Sequence, residues 1–202
     1  MAAPLVLVFA FLVGAVPFSN IAAHLTRGVD LRTVDSGTVS GTGLYKVAGF
    51  GPLAVAGILD VGKGAVGPLL AGTDRPALAA VAGGLAVVGH DWSPFLAGAG
   101  GRGISTAMGA LLVTAWPGTV LLLAGLVLGR LIDQAGLGGF LADVVLTPFL
   151  GVTMGAAAAL AGAAVVVPML VKRVAGNAPP GHPRLRIYAR RLLFDCDDPT
   201  VA

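Results

Sequence analysis

Residues 144–171 read VVLTPFLGVTMGAAAALAGAAVVVPMLV, 28 residues without one charged side chain. A helix needs roughly 20 such residues to cross a hydrocarbon core of about 30 Å. Within that core every backbone N–H and C=O has to be satisfied inside the segment itself. The stretch therefore reads as membrane-embedded helix, either one long span or Leu137–Leu150 paired with Gly151–Val171. Working outward, Met1–Ala23 and Gly103–Gly129 are also uncharged and long enough to span, whereas Val47–Leu59 and Ala77–Gly89 are uncharged but short. Gly103–Gly129 carries Trp116-Pro117-Gly118 near its midpoint, and proline breaks the helical ladder, so this stretch too is one kinked helix or two short ones. The count is five crossings if both long stretches stay whole and seven if both divide.

The composition agrees. Of 202 residues 56% are hydrophobic and only 11% are charged, where a soluble domain carries about a quarter charged residues. Mean hydropathy is +0.89. A formal net charge of +3 is compatible with nucleic-acid binding, but the basic residues sit where a membrane protein needs them. Arg27, Arg32, Lys46, Arg102, Lys172, Arg173, Arg184, Arg186, Arg190 and Arg191 all lie in loops or the tail. By the positive-inside rule those segments are cytoplasmic, the N-terminus is outside and the C-terminus inside. The first apolar stretch has no Lys or Arg before Arg27, so it reads as a retained helix and not as a secretory leader. Residues 1–174 form the multi-pass domain, and residues 175–202 a cytoplasmic tail in which Arg184–Phe194 is a basic amphipathic helix suited to an anionic leaflet.

Three constellations can carry chemistry. The first is Asp35-Ser-Gly-Thr-Val-Ser-Gly-Thr-Gly-Leu-Tyr-Lys46, a loop of glycines and hydroxyls ending in a cation. Glycines let the backbone close on an anion while hydroxyls and N–H groups donate to it. The second runs from Gly89-His90-Asp91-Trp92-Ser93 to Gly100-Gly-Arg-Gly-Ile-Ser-Thr106. A Gly-Gly-Arg-Gly turn opening an apolar helix aims free N–H groups, the helix dipole and a guanidinium at a phosphate. The third is Asp60 with Lys63, ionisable groups at membrane depth whose i, i+3 spacing lets them neutralise each other or meet a substrate. His90 has no Cys or second His nearby, so no metal site is expected, and no cofactor motif occurs. The chain has no Glu, no His-x4-Asp dyad and no Gly-x-Ser-x-Gly elbow.

In order and spacing these pieces resemble the acyl-phosphate:glycerol-3-phosphate acyltransferase (PlsY) family. The resemblance runs through Gly14-x-x-Pro17, Gly28-Val-Asp-Leu-Arg32, Ser36-Gly37 to Lys46, Asp60-Val-Gly-Lys63-Gly64, Gly89-His90 with Ser93-x-Phe95, and Gly100 to Thr106, over roughly residues 12–113. It implies an all-α integral protein of the bacterial inner membrane, with about seven short transmembrane helices and cytoplasmic Gly-rich loops. The implied reaction moves an acyl chain from acyl phosphate to glycerol 3-phosphate, giving lysophosphatidic acid for phospholipid synthesis. The implied partners are those two substrates and membrane lipid, with no nucleic acid, in a monomer. The family pattern puts Ser36, Lys46, His90 and Arg102 in catalytic positions. It makes Thr38, Thr42, Lys63, Ser93, Gly100, Gly101, Gly103, Thr106, His182 and Arg190 substrate contacts. Thr38 and Gly43 replace the family's asparagines, Lys46 its arginine and Arg102 its lysine, and a third motif is faint in His182, Ile187, Arg190 and Asp195. Two rival readings stand beside the enzyme: a catalytically inactive homologue, and a small transporter with Asp60 and Lys63 on its path.

Overall fold

The computed structural model describes residues 1–34, 37–177 and 185–195, and the regular structure among them is all helical. In chain order these described residues form α1 (Ala3–Gly14), α2 (Phe18–Arg27), α3 (Gly41–Ala48), α4 (Phe50–Ala71), α5 (Pro76–Asp91), α6 (Ile104–Thr114), α7 (Trp116–Leu131), α8 (Ala135–Met154), α9 (Ala156–Ala175) and α10 (Leu185–Phe194). Both long uncharged stretches are divided. Pro117 sits in the first turn of α7, where its missing N–H would have no intrahelical partner anyway. Gly155, at φ 89°, separates α8 from α9. Pro17 separates α1 from α2, which together make one apolar segment.

Among the described residues four segments are long and apolar enough to cross a membrane: Ala3–Arg27, Phe50–Ala71, Ala135–Met154 and Ala156–Ala175. The helices α6 and α7 are apolar but shorter. With 16 residues, α5 is about 24 Å long. It is nonetheless central, packing against α1, α4, α6 and α9, while α7 packs on α8 and α8 on α9.

Small residues set these distances. A Cβ on Gly64 of α4 would lie 1.9 Å from the Thr106 carbonyl oxygen, and one on Gly109 of α6 would lie 1.8 Å from that of Val61. Each helix thus offers a glycine to the other's backbone, the close approach that small residues permit in membranes. The bundle is apolar outside and charged within. Ile58, Leu128 and Val152 are exposed, whereas Asp60, Lys63, Asp91, Arg102, Asp143, Lys172, Arg173 and Arg191 are buried. Lipid contact accounts for the apolar exterior.

Two segments differ from the sequence reading. Part of the expected glycine-rich loop is the helix α3: Ser40 caps it by accepting the Gly43 N–H at 3.2 Å, and fully buried Leu44 anchors it. The basic helix of the tail forms as α10, but it packs against α8 and α9, and buried Arg191 donates to the Ala175 carbonyl at 3.0 Å.

Because α4 and α6 touch through backbone, Gly109→Val should lower the melting temperature in detergent by an amount equivalent to about 3 kcal/mol or more, at or above the usual cost of overpacking. Gly62→Ala, on an exposed α4 position with nothing within 4 Å of the added methyl, should leave it unchanged.

Candidate functional site

Three segments far apart in sequence are laced together beside the bundle. The Val39 N–H donates to the Gly100 carbonyl at 3.1 Å, joining the first loop to the second. From beyond α9, the Asn177 amide donates to the Gly37 and Gly100 carbonyls, both at 3.0 Å, and its oxygen accepts the Gly100 N–H at 3.1 Å. The Gly101 N–H donates to the His90 carbonyl at 3.2 Å, and a Cβ there would sit 2.2 Å from His90 Nε2. Glycine at 101 is what lets the loop lie on the imidazole. At its start the first loop is fixed to α2, where Asn20 accepts the Leu31 N–H at 2.8 Å. Asp30 grips Arg32 beside it, and the hydrogen bond from Arg32 holds the Asp30 carboxyl down at about 2.

These ties enclose a cleft of roughly 1170 Å³. Thr38, Thr42 and Lys46 line it from the first loop and α3, Asp60 from α4, His90 from α5, and Arg102 and Gly103 from the entry to α6. Ser19, Ser40, Ser105, Arg173 and Asp195 complete the polar wall, with Arg130 at the end of α7. The floor holds an ion pair, Lys63 Nζ to Asp60 Oδ1 at 2.7 Å, and His90 Nδ1 lies 3.8 Å from the same oxygen. The Lys63 ammonium also donates to the Val16 carbonyl at 2.7 Å, exposed by the break at Pro17, and lies 5.6 Å from the Phe18 ring centre. Arg102 pairs through Nε with Asp195 and donates from Nη1 to the Lys172 carbonyl at 3.2 Å. Arg173 donates to the Gly136 carbonyl at 3.0 Å and lies 3.4 Å from Asp143.

Of the charged side chains that line the cleft, Lys46, Arg102, Arg130 and Arg173 stand against Asp60 and Asp195, four cations against two carboxylates. The lining thus carries an excess of two positive charges. A cleft so built suits an anion, because buried cations attract it with little screening.

Not every candidate reaches the cleft wall. Lys63 is turned behind Asp60, and Ser93 is buried, donating to the Ala15 carbonyl at 2.7 Å. Gly100 and Gly101 act through backbone, spacing the second loop against Asn177 and His90. Thr106 is fully buried at the α4–α6 crossing, and Arg190 is half-buried on α10 away from the cleft. Ser36 and His182 lie outside the described residues. The structure adds Asn177, Arg173 and Lys172, the last with its ammonium 5.1 Å from the Trp92 ring centre. It also adds Asp91, fully buried with neither carboxylate oxygen hydrogen-bonded among the described residues. The pair Lys172-Arg173 signals only topology in the sequence, and Asn177 reads as one residue of a Gly/Pro/Asn loop.

The model of a protein family described as glycerol-3-phosphate acyltransferase matches residues 4–177. A glycerol-3-phosphate acyltransferase of Synechococcus sp. (strain CC9902) is 33% identical over 173 residues, covering 83% of this chain and 84% of the relative. Another, of Parasynechococcus marenigrum, is 37% identical over 119 residues, which is 58% of this chain and 56% of the relative. The chain thus aligns with little more than half the length of some curated relatives. Among solved structures, the glycerol 3-phosphate form of PlsY, an integral membrane glycerol 3-phosphate acyltransferase, superposes with a TM-score of 0.72. That match has 26% identity and covers 82% of this chain and 87% of the other. The lysphosphatidic acid form superposes at 0.74 with 22% identity, over 85% and 87% of the two chains, a likeness of fold.

The Asp60–Lys63 pair supplies a test of the cleft floor. Breaking a buried pair from one side leaves an uncompensated charge, at about 3–5 kcal/mol. Asp60→Asn and Lys63→Met should each depress the yield of folded protein in membranes, and the double variant should recover above both. A double variant no better than the worse single would show that the two groups do not neutralise each other.

Proposed function

The chain belongs to the glycerol-3-phosphate acyltransferase family, and on that premise we propose that its cleft transfers an acyl chain from acyl phosphate to the 1-hydroxyl of glycerol 3-phosphate. The observation that carries this reading is the cation-rich cleft that Asn177 closes between the two loops, beside an apolar bundle. Both substrates carry a terminal phosphate, one as a monoester and the other as a mixed anhydride, and the second has a chain that belongs in lipid.

The chemistry asks for little beyond positioning and charge. The hydroxyl oxygen of glycerol 3-phosphate forms the new bond to the acyl carbon, and the bond from that carbon to the phosphate oxygen breaks with its electron pair on phosphate. The proton of the hydroxyl ends on the departing phosphate, so the products are lysophosphatidate and inorganic phosphate. Fixed donors that meet the developing charge account for the largest share of such an acceleration, and holding both reactants adds to it. Lys46 with Thr38 and Thr42 forms the wall that receives the acceptor's phosphate. Arg102, with the N–H groups at the start of α6, receives that of the donor. His90, beside Asp60 on the floor between them, faces the acceptor hydroxyl. Ser36 and His182 belong to the same proposal through the family pattern. In this proposal seven described apolar helical segments, with α1 and α2 counted as one, cross the bacterial inner membrane, and the cleft faces the cytoplasm with the C-terminus, a topology that the clustering of basic residues supports.

Purified protein supplied with palmitoyl phosphate and glycerol 3-phosphate should release phosphate and form lysophosphatidate. Arg102→Ala should lower turnover by roughly 30- to 1,000-fold, the loss of one charge-assisted contact in the transition state, about 2–4 kcal/mol. Arg102→Lys keeps the charge and should retain much of the rate. Wild-type turnover in the alanine variant would remove Arg102 from the donor site, and no turnover by the wild-type protein would favour an inactive homologue.

A further inference from the structure

The cleft has a second side that the motifs of the first half of the chain do not touch. Past Arg102 it continues between α7, α8 and α10, where Leu126, Arg130, Gly136 and Phe194 line it. Leu126 and Arg130 lie one turn apart on the same face of α7. Around them the outer surface of α7 is lipid-like: Leu128 and Leu131 are 62% and 75% exposed, and Phe194 across the opening is 43% exposed. The cleft thus reaches the apolar exterior at this point. Arg130 is exposed at the rim, and its guanidinium makes no hydrogen bond or ion pair with any described residue. It follows an apolar helix that begins at Trp116 across the bundle, so it lies on the side of the polar loops, at the depth of lipid headgroups.

On the acyltransferase reading above, we propose that this opening is the lateral port through which a single-chain amphiphile with a terminal phosphate passes between bilayer and cleft, with Arg130 gripping that phosphate at the rim. The ligand class follows from the lining. An apolar wall one turn below a guanidinium matches an acyl or alkyl chain one turn below a phosphate, and a guanidinium holds a phosphate through two parallel hydrogen bonds. A two-chain lipid would have to bring its second chain past Phe194 into the polar cleft. The acyl phosphate donor and the lysophosphatidate product share this chemistry, and the port serves either. The ordinary role for an arginine in the last turn of a helix is to offset the helix dipole, and that role predicts no dependence on ligand.

The test uses the full chain in nanodiscs of neutral lipid, as wild type, Arg130→Gln and Arg130→Lys. Binding of radiolabelled hexadecyl phosphate is measured directly, and KM and kcat are measured for palmitoyl phosphate and glycerol 3-phosphate. Arg130→Gln should weaken hexadecyl phosphate binding at least fivefold, and Arg130→Lys should restore it to within about twofold. In turnover, the Gln variant should raise KM for palmitoyl phosphate at least fivefold if the port admits donor, or the inhibition constant of lysophosphatidate by as much if it releases product. KM for glycerol 3-phosphate should not move. Unchanged binding and unchanged constants would overturn the port, as would a lower melting temperature with a fall in kcat and no change in binding, which marks a structural arginine. Should wild type fail to turn over yet bind hexadecyl phosphate through Arg130, the port stands and the acyltransferase reading falls.

Discussion

Everything in this bundle answers to one cost, that of keeping charges inside an apolar solvent. Among the described residues, eight ionisable side chains are buried between helices whose outer faces are rich in leucine, isoleucine and valine. An ionisable group near the bilayer centre costs about 2.5–3.5 kcal/mol on insertion scales, and geometry answers the described charges except Asp91, whose carboxylate oxygens accept no hydrogen bond among the described residues. Asp60 and Lys63 answer each other, and the break at Pro17 frees the Val16 carbonyl to take a further hydrogen bond from the lysine. Arg102 is held by Asp195 and the end of α9, and Arg173 by Gly136 and Asp143. At two helix ends the break and the charges are one arrangement: the break after α1 offers the Val16 carbonyl to Lys63, and the end of α9 offers the carbonyls of Lys172 and Ala175 to Arg102 and Arg191.

The cleft also depends on how closely the helices approach. The glycines at 64 and 109 let α4 and α6 touch, which brings Asp60 on one helix and Arg102 at the entry to the other to a common cavity. Asn177 then does for the loops what those glycines do for the helices. Three hydrogen bonds from one amide side chain fix Gly37 and Gly100 to the end of α9. The cationic wall is therefore preorganised, and a preorganised wall avoids the reorganisation that water would demand when charge develops on phosphate.

Much of this was legible in the sequence because the signals were local. Uncharged length gave the helices, and Pro117 marked one point at which a long stretch could divide, while the other division, placed after Leu150, falls instead at Gly155. The i, i+3 spacing of Asp60 and Lys63 foretold their pairing. What stayed hidden depended on tertiary contact. Ser93 resembles a ligand donor in sequence, but the fold spends its hydroxyl on Ala15. Thr106 falls at a helix crossing that no spacing rule locates. Asn177 is an ordinary loop residue until the loops 77 and 140 positions away arrive beside it. The tail read as a surface helix, yet buried Arg191 ties it to the bundle, and Asp195 at its end reaches Arg102.

The central claim is that polar segments distant in sequence close over one cleft at a single membrane face, with the opposite turns beyond reach. Side-specific labelling of single cysteines in a Cys196→Ser background tests it most directly, using membranes of known orientation. Thr42, Phe95 and Leu185 are exposed on the three cleft-side segments, and Asp74 is exposed in the turn between α4 and α5. Cysteines at 42, 95 and 185 should react with an impermeant reagent from the cytoplasmic side alone, and a cysteine at 74 from the other side alone. Labelling of positions 42 and 95 from opposite sides would contradict the account, since the loops that build the cleft would then be separated by the bilayer.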